Sequence, residues 1–326
     1  MADKEHETES AGSVTAINRT MAIVGAGLIG RAWAAIFARA GWQVRLYDPM
    51  AGQAERCHAL CREALTQLHR HGLADDPAGA LARIRPVATL TEALEGVSLV
   101  QENGPEKLEL KIAIYAELDA LAPPDAILAS STSAIVASKF TEHLKGRHRC
   151  LVAHPVNPPH LVPVVELCGA PWTAPEVIER ARAIYSEIGQ VPVTVKKELE
   201  GFILNRLQGA LLTEAMKLVG EGYISPQDLD HVVKDGLGLR WSFLGPFETI
   251  ELNAPGGIPD YITRYSGFYQ RLAADPAPPS AWQGAGADRV TAEWGRKPDA
   301  AEVLERSQAR DERLAALLAH KKKSGS

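Results

Sequence analysis

Thr20 to Tyr47 reads TMAIVGAGLIGRAWAAIFARAGWQVRLY, and Asp48 closes the stretch. TMAIV is a short apolar run entering Gly-Ala-Gly, the pattern of a buried parallel strand that runs into a tight turn. Leu28 to Ala40 follows a helical pattern, and Gln43–Tyr47 is rich in β-formers. The stretch is therefore strand, glycine turn, helix, strand, which is a βαβ unit. Gly25-Ala26-Gly27-Leu28-Ile29-Gly30 matches G-x-G-x-x-G. In that pattern glycine serves a tight turn, the close approach of backbone to a pyrophosphate, and the packing of helix on strand. The helix start adds unpaired N–H groups and a partial positive charge.

A glycine string alone also occurs as a plain turn. Here a strand precedes it, a helix follows, and an acid ends the second strand. Asp48 is placed to hydrogen-bond ribose hydroxyls and to repel a 2′-phosphate, and the following Pro49 and Met50 supply no compensating cation. NAD is therefore the expected cofactor, in preference to NADP.

Outward from this unit the alternation continues. Helical patterning at Ala54–His69 precedes a strand near Ile84–Ala88, a short helix at Thr91–Leu94 and a strand at Leu99–Gln101. Lys107–Leu121 is amphipathic, and Ala126–Ala129 leads into the Ser130–Ser133 cluster. Cys150–Ala153 presents His154 at its carboxyl end, where open α/β sheets gather ligands. Val164–Leu167, Pro175–Ile188 and Val191–Val195 complete a Rossmann-type doubly wound domain expected over 20–199. After Gly201 strand patterns cease: Phe202–Val219 is a long helical pattern, and Ser225-Pro226-Gln227-Asp228 is a helix start with a capping serine. An all-α domain is expected over 200–318, broken by loops at Gly236–Gly238, Gly245–Pro246 and Pro255–Pro259. Residues 1–19 and 319–326 read as flexible tails, the latter carrying Lys321–Lys323.

Of 326 residues, 46% are apolar and 23% charged, a soluble globular balance. A net charge of −5 gives no field for nucleic acid or an anionic membrane, so a small-molecule partner is expected. No run is long and apolar enough to span a bilayer, and the first residues lack a signal core and are too acidic for a transit peptide, so a cytoplasmic location is expected. The 4 cysteines are too sparse for a disulfide scaffold. Cys57, His58, Cys61, His69 and His71 match no standard zinc spacing, and no metal site is expected.

Alcohol oxidation by NAD requires a base for the hydroxyl proton, and an imidazole titrates near neutrality. His154, in HPVNPP, follows an apolar strand. Glu166, in VVEL, lies among apolar neighbours where an unpaired carboxylate is costly. Such a pair orients the ring and stabilises its charged form; by residue type alone, a core histidine and a solvated edge glutamate are the favoured explanation of the two.

Ser133, His154-Pro-Val-Asn-Pro, Val165-Glu166-Leu167 and Gly201-Phe-Ile-Leu-Asn205-Arg206 resemble, in order and spacing, the 3-hydroxyacyl-CoA dehydrogenase family, from about Thr20 to Asn253. HPVNPPHLVPVVEL at 154–167, GFILNRLQ at 201–208, SPQDLD at 225–230 and DGLGLRWSFLGPFETIELNAPGG at 235–257 are most similar to its lambda-crystallin group, the L-gulonate 3-dehydrogenases. The resemblance implies that Ser133 and Asn205 hold the substrate oxygen while His154, paired with Glu166, exchanges its proton. It implies contacts from Glu106 and Lys111 to the nicotinamide-side ribose, and a homodimer formed through the helical domain. Ser131 stands where relatives commonly carry asparagine, which puts one family contact to the cofactor in doubt. Arg240 is a candidate for a substrate carboxylate, its guanidinium being a planar fork of donors.

The expected activity is NAD-dependent oxidation of a free polar 3-hydroxy acid such as L-gulonate. Alternatives are an acyl-CoA enzyme of the fatty-acid type, an L-carnitine dehydrogenase, and a structural NAD-binding protein without catalysis. The family likeness fades after Ala273.

Overall fold

The computed structural model describes residues 18–295 and 297–324. They fall into two compact units, one ending at Glu200 and the other beginning at Gly201. The segment 1–17, most of the expected leading tail, lies outside the described residues. Asn18 and Arg19 are tied down: the Asn18 amide donates to Gly96 O at 2.7 Å, and Arg19 pairs with Glu187 at 2.8 Å.

The first unit begins with β1 (Thr20–Val24), α1 (Leu28–Arg39) and β2 (Gln43–Tyr47), followed by α2 (Gln53–Arg70), α3 (Pro77–Ala82) and β3 (Ile84–Pro86). Next come α4 (Leu90–Leu94), β4 (Leu99–Glu102), α5 (Leu108–Leu121), β5 (Ile127–Ser130) and α6 (Ser138–Thr141). It ends with β6 (Cys150–Pro155), β7 (Val164–Gly169), α7 (Pro175–Glu187) and β8 (Val191–Val195). One sheet runs β3-β2-β1-β4-β5-β6-β7-β8. The first six strands are parallel in the order 3-2-1-4-5-6, with the reversal of order between β1 and β4 that marks a dinucleotide crevice. Strand β7 then turns back antiparallel to β6, and β8 runs with β7.

The sequence foresees all eight strands, but not α3, the short α6, or the full length of β6. His154 lies within β6, not beyond it, because pairing with β7 carries the ladder through Pro155↔Val165. On one face of the sheet Trp33 and Phe37 of α1, Trp42 and Tyr185 of α7 form a fully buried aromatic cluster. Ring centroids there lie 5.3–6.1 Å apart in tilted or edge contacts, the arrangement favoured by ring quadrupoles.

The second unit is helical: α8 (Leu204–Gly220), α9 (Pro226–His231), α10 (Gly238–Trp241), α11 (Pro246–Glu251), α12 (Gly257–Ala273), α13 (Ala285–Trp294) and α14 (Ala300–Ser324). Ser225 caps α9 as expected, accepting from Asp228 N at 3.1 Å. The loops expected at glycine and proline are largely helical. Val232–Leu237 forms a π turn joining α9 to α10, Pro246 is the first residue of α11, and Pro259 sits in the first turn of α12, positions that tolerate a missing N–H. The expected tail from 319 is also corrected. Residues 319–324 continue α14, with Lys321–Lys323 in its last turn, where cations oppose the negative end of the helix dipole. Among the described residues no helix is long and apolar enough to cross a membrane.

Lys111 of α5 and Glu102 of β4, each 1% exposed, pair at 2.9 Å. Ser130 Oγ donates to the same carboxylate at 2.6 Å, and Gly104 N at 2.6 Å. Removing one partner of a buried pair leaves the other charge unanswered. Lys111→Met is expected to lower unfolding stability by about 3–5 kcal/mol, and Glu102→Gln added to it to recover most of that loss, measured by urea denaturation.

Candidate active site

The glycine loop separates two steric demands. Gly25 has φ +98°, and a Cβ there would stand 2.8 Å from the Asn103 carbonyl carbon. A Cβ on Gly30 would lie 2.0 Å from Gly25 O. Both glycines are therefore required by the fold itself, the first by the turn and the last by the packing of α1 on the loop. A Cβ on Gly27 would meet nothing within 4 Å. The open space at Gly27, ahead of the N–H groups of Leu28 and Ile29 at the start of α1, fits a pyrophosphate.

Asp48 is bound to this loop. Its carboxylate accepts from Ala26 N at 2.7 Å and from Met50 N at 2.9 Å, and a carboxylate retains further lone pairs for ribose hydroxyls. Gln53, not foreseen from the sequence, donates to Ala26 O at 2.8 Å and fastens α2 to the same turn.

Glu106 and Lys111 have different surroundings. Glu106 is exposed and gathers the serine loop, accepting from Thr132 Oγ1 and from Ala134 N at 3.1 Å. Lys111 is enclosed, its ammonium engaged by Glu102 and by Ser130 at 3.4 Å. In this structure it braces the end of β4, where the family resemblance implied a contact to the nicotinamide-side ribose. Glu102 itself was missed: LVQE at 99–102 ends a buried strand on two polar residues, and that was the available signal.

His154 and Glu166 are register partners across the antiparallel β6–β7 pair. Directly opposed residues project from the same face of a sheet, and His154 Nδ1 lies 2.8 Å from Glu166 Oε2. The two residues are 5% and 1% exposed. Ser133 is exposed on the loop after β5, the strand next to β6. Asn205 and Arg240 belong to the helical unit, Asn205 half-buried in the first turn of α8 and Arg240 exposed on α10.

A second polar group, unforeseen in the sequence, lies under the serine loop. Ser131 Oγ accepts from Gln101 Nε2 at 2.7 Å and from Trp33 Nε1 at 3.0 Å, and donates to Asn103 Oδ1 at 2.8 Å. Tyr185 donates to Gln101 Oε1. Burial pushes the Tyr185 hydroxyl well above the ordinary tyrosine range, so it stays a donor. Cys150 and Cys168 are likewise pushed up to about 12 by burial and are not activated thiols. Among the described residues no group of three or more His, Cys, Asp or Glu side chains is placed to hold a metal ion.

The family description "3-hydroxyacyl-CoA dehydrogenase, NAD binding domain" matches residues 20–199, and "3-hydroxyacyl-CoA dehydrogenase, C-terminal domain" matches 201–290. The chain is 44% identical over 288 residues to the lambda-crystallin homolog of Bos taurus, covering 87% of this chain and 89% of that protein. It is 38% identical over 248 residues to an L-carnitine dehydrogenase of Pseudomonas putida, covering 76% and 77%. Among solved structures it is similar to an NAD+-dependent dismutase, 5-formyl-3-hydroxy-2-methylpyridine 4-carboxylic acid 5-dehydrogenase. There the TM-score is 0.79 and the identity 32%, with 92% of this chain and 97% of that one covered.

Substitution of the two glycines is expected to separate folding from cofactor binding. Gly27→Ala should melt close to the wild type yet weaken NADH binding roughly tenfold or more, a loss of about 1.4 kcal/mol. Gly30→Ala should lose both stability and binding. Thermal unfolding and titration of NADH fluorescence check the pair.

Proposed function

The chain belongs to the 3-hydroxyacyl-CoA dehydrogenase family, and from that membership we propose that it oxidises the 3-hydroxyl of a free polar 3-hydroxy acid, L-gulonate first among them. The observation that carries the reading is the 2.8 Å contact between His154 and Glu166. A carboxylate only accepts, so Nδ1 donates to Glu166 and Nε2 is the basic nitrogen. His154 takes the hydroxyl proton as hydride leaves C3, and Glu166 balances the charge that then rests on the ring. Ser133 and Asn205 hold the substrate oxygen. Gly25, Gly27, Leu28, Ile29 and Gly30 hold the cofactor phosphates, Asp48 the adenosine ribose and Glu106 the ribose on the nicotinamide side. When bound, NAD supplies the hydride acceptor.

The choice of a free acid is supported by the relatives named lambda-crystallin homolog and L-carnitine dehydrogenase, since carnitine is itself a free 3-hydroxy acid. Exposed Arg240 is the residue we assign to the carboxylate. The four buried cysteines are free thiols, which fits the proposed cytoplasmic setting.

NADH production with L-gulonate, L-carnitine and 3-hydroxybutyryl-CoA, each offered alone, tests the reading. Turnover on L-gulonate is expected, with kcat lower by about 10²–10⁴-fold in His154→Ala and KM for the acid raised about tenfold or more in Arg240→Met. Turnover confined to carnitine or the CoA ester would overturn the substrate and keep the base; undiminished turnover in His154→Ala would overturn the base.

We also propose that the protein is a homodimer joined through the helical unit. Among the described residues that unit buries only Phe202, Val219, Ala254 and Ala315 of its hydrophobic side chains, while Leu207, Tyr223, Phe247 and Leu252 are 66–74% exposed. Apolar surface of this extent is uncommon on a monomer. Sedimentation equilibrium is expected to give twice the 35.1 kDa chain mass; a single chain mass at micromolar concentration would refute the dimer.

A further inference from the structure

The polar group beneath the serine loop has a single self-consistent arrangement of hydrogens. Both acceptor positions of Ser131 Oγ are taken, by Gln101 Nε2 and Trp33 Nε1, so its one hydrogen goes to Asn103 Oδ1. That fixes the Asn103 amide, whose Nδ2 donates to Gln101 O at 2.8 Å. Gln101 is fixed in turn: its Oε1 accepts from Tyr185, and its Nε2 also reaches Ala153 O at 3.5 Å. Tyr185, Gln101 and Trp33 are fully buried, so water offers none of them an alternative partner.

The chain of bonds ends at three places that matter for the reaction. Ser131 is two residues before Ser133. Ala153 immediately precedes His154. The Asn103 carbonyl closes against Gly25 of the glycine loop. Because the order of strands reverses between β1 and β4, a dinucleotide whose adenosine ribose is at β2 extends its other half over the ends of β4 and β5. Those ends carry Asn103 and Ser131.

We infer that Tyr185, Gln101 and Ser131 are positioning residues for hydride transfer, a directional hydrogen-bond chain that holds the serine loop in register with the glycine loop and with the strand bearing His154. The inference rests on the roles given above to Ser133 and His154. Packing alone does not require such a chain: an apolar side chain at 101 or 131 would fill space without fixing direction. Rotation of Ser131 would break three bonds at once, so the loop has one position rather than several. The serine at 131, which differs from the asparagine common in the family, is thus part of a working arrangement and not a lost contact.

Tyr185→Phe, Ser131→Ala and Ser131→Thr test this through the fluorescence of bound NADH, which reports how rigidly the nicotinamide is seated and needs no substrate. In the first two variants NADH affinity is expected to stay within about threefold of the wild type, while the gain in nicotinamide emission on binding falls by roughly half or more. With a turned-over substrate, kcat is expected to fall about tenfold with KM little changed, the signature of lost alignment. Ser131→Thr, which keeps the hydroxyl, should restore both. Wild-type emission gain and kcat in Tyr185→Phe, even with a lower melting temperature, would reduce the chain of bonds to packing and overturn the proposal. If none of the offered acids is oxidised, the emission measurement decides by itself, so a wrong substrate and a wrong positioning role give different results.

Discussion

Glu166 is 1% exposed, and a carboxylate removed from water to that degree must find a donor or lose its charge. The reversal of chain direction between β6 and β7 provides the donor. In a parallel continuation, each strand would be separated from the next by a crossover, and His154 and Glu166 would have no reason to share a register position. The short antiparallel return, through the proline-containing segment between Pro155 and Val164, places them opposite one another on one face. The same pairing lengthens β6, so the imidazole is held by a strand and not by a loop. An imidazole held this way keeps its orientation, and its tautomer is set by a partner that can only accept.

The ends of β4 and β5 show the same economy. Successive residues of a strand face opposite sides of the sheet, so Gln101 and Glu102 cannot serve one cluster. Gln101 joins the face covered by α1 and α7, through Tyr185 and, by way of Ser131, Trp33, whereas Glu102 binds Lys111 of α5. Ser130 and Ser131 alternate in the same way, one hydroxyl for each cluster. The serine loop is thus clamped from both faces of the sheet, and from outside by Glu106. Two seams of differing chemistry, one neutral and directional and one charged, converge on the segment that delivers Ser133.

How much of this was legible in the sequence depends on how far apart the interacting residues lie. The βαβ unit and the glycine loop are local and periodic, and every strand was readable from apolar runs punctuated by glycine and proline. His154 and Glu166 were legible as a pair because the family pattern names both; residue type alone favoured a core histidine and a solvated edge glutamate. The buried seams were not legible. Tyr185 is 84 positions from Gln101 and Ser131 98 from Trp33, and nothing local distinguishes a glutamine that ends in such a chain from one at a strand edge. Glu102 and Lys111 are only nine apart, yet the resemblance assigned the lysine to a ribose and nothing local marked Glu102 as its buried partner. In the helical unit, glycine and proline were read as loops when they occupy a π turn and helix starts, since the two uses have the same composition.

The helical unit follows a different logic from the sheet. Along α12, Tyr261, Tyr265 and Tyr269 recur at one-turn spacing, with the Tyr261 and Tyr269 hydroxyls 2.7 Å apart. With Pro246, Phe247, Ile250 and Ile262 the first and last of these line an apolar cavity of about 300 Å³. Rings on one helix face that bond to each other at their polar tips make a surface apolar in body and polar at the rim, as interface-forming aromatics do. A unit that spends its aromatic residues this way keeps few for its own core, which is why so little of it is buried. The sheet unit, by contrast, keeps its aromatic cluster and its polar seams within its own core. The buried hydrogen-bonded seams lie in the sheet unit, and the exposed aromatic surface lies in the helical unit.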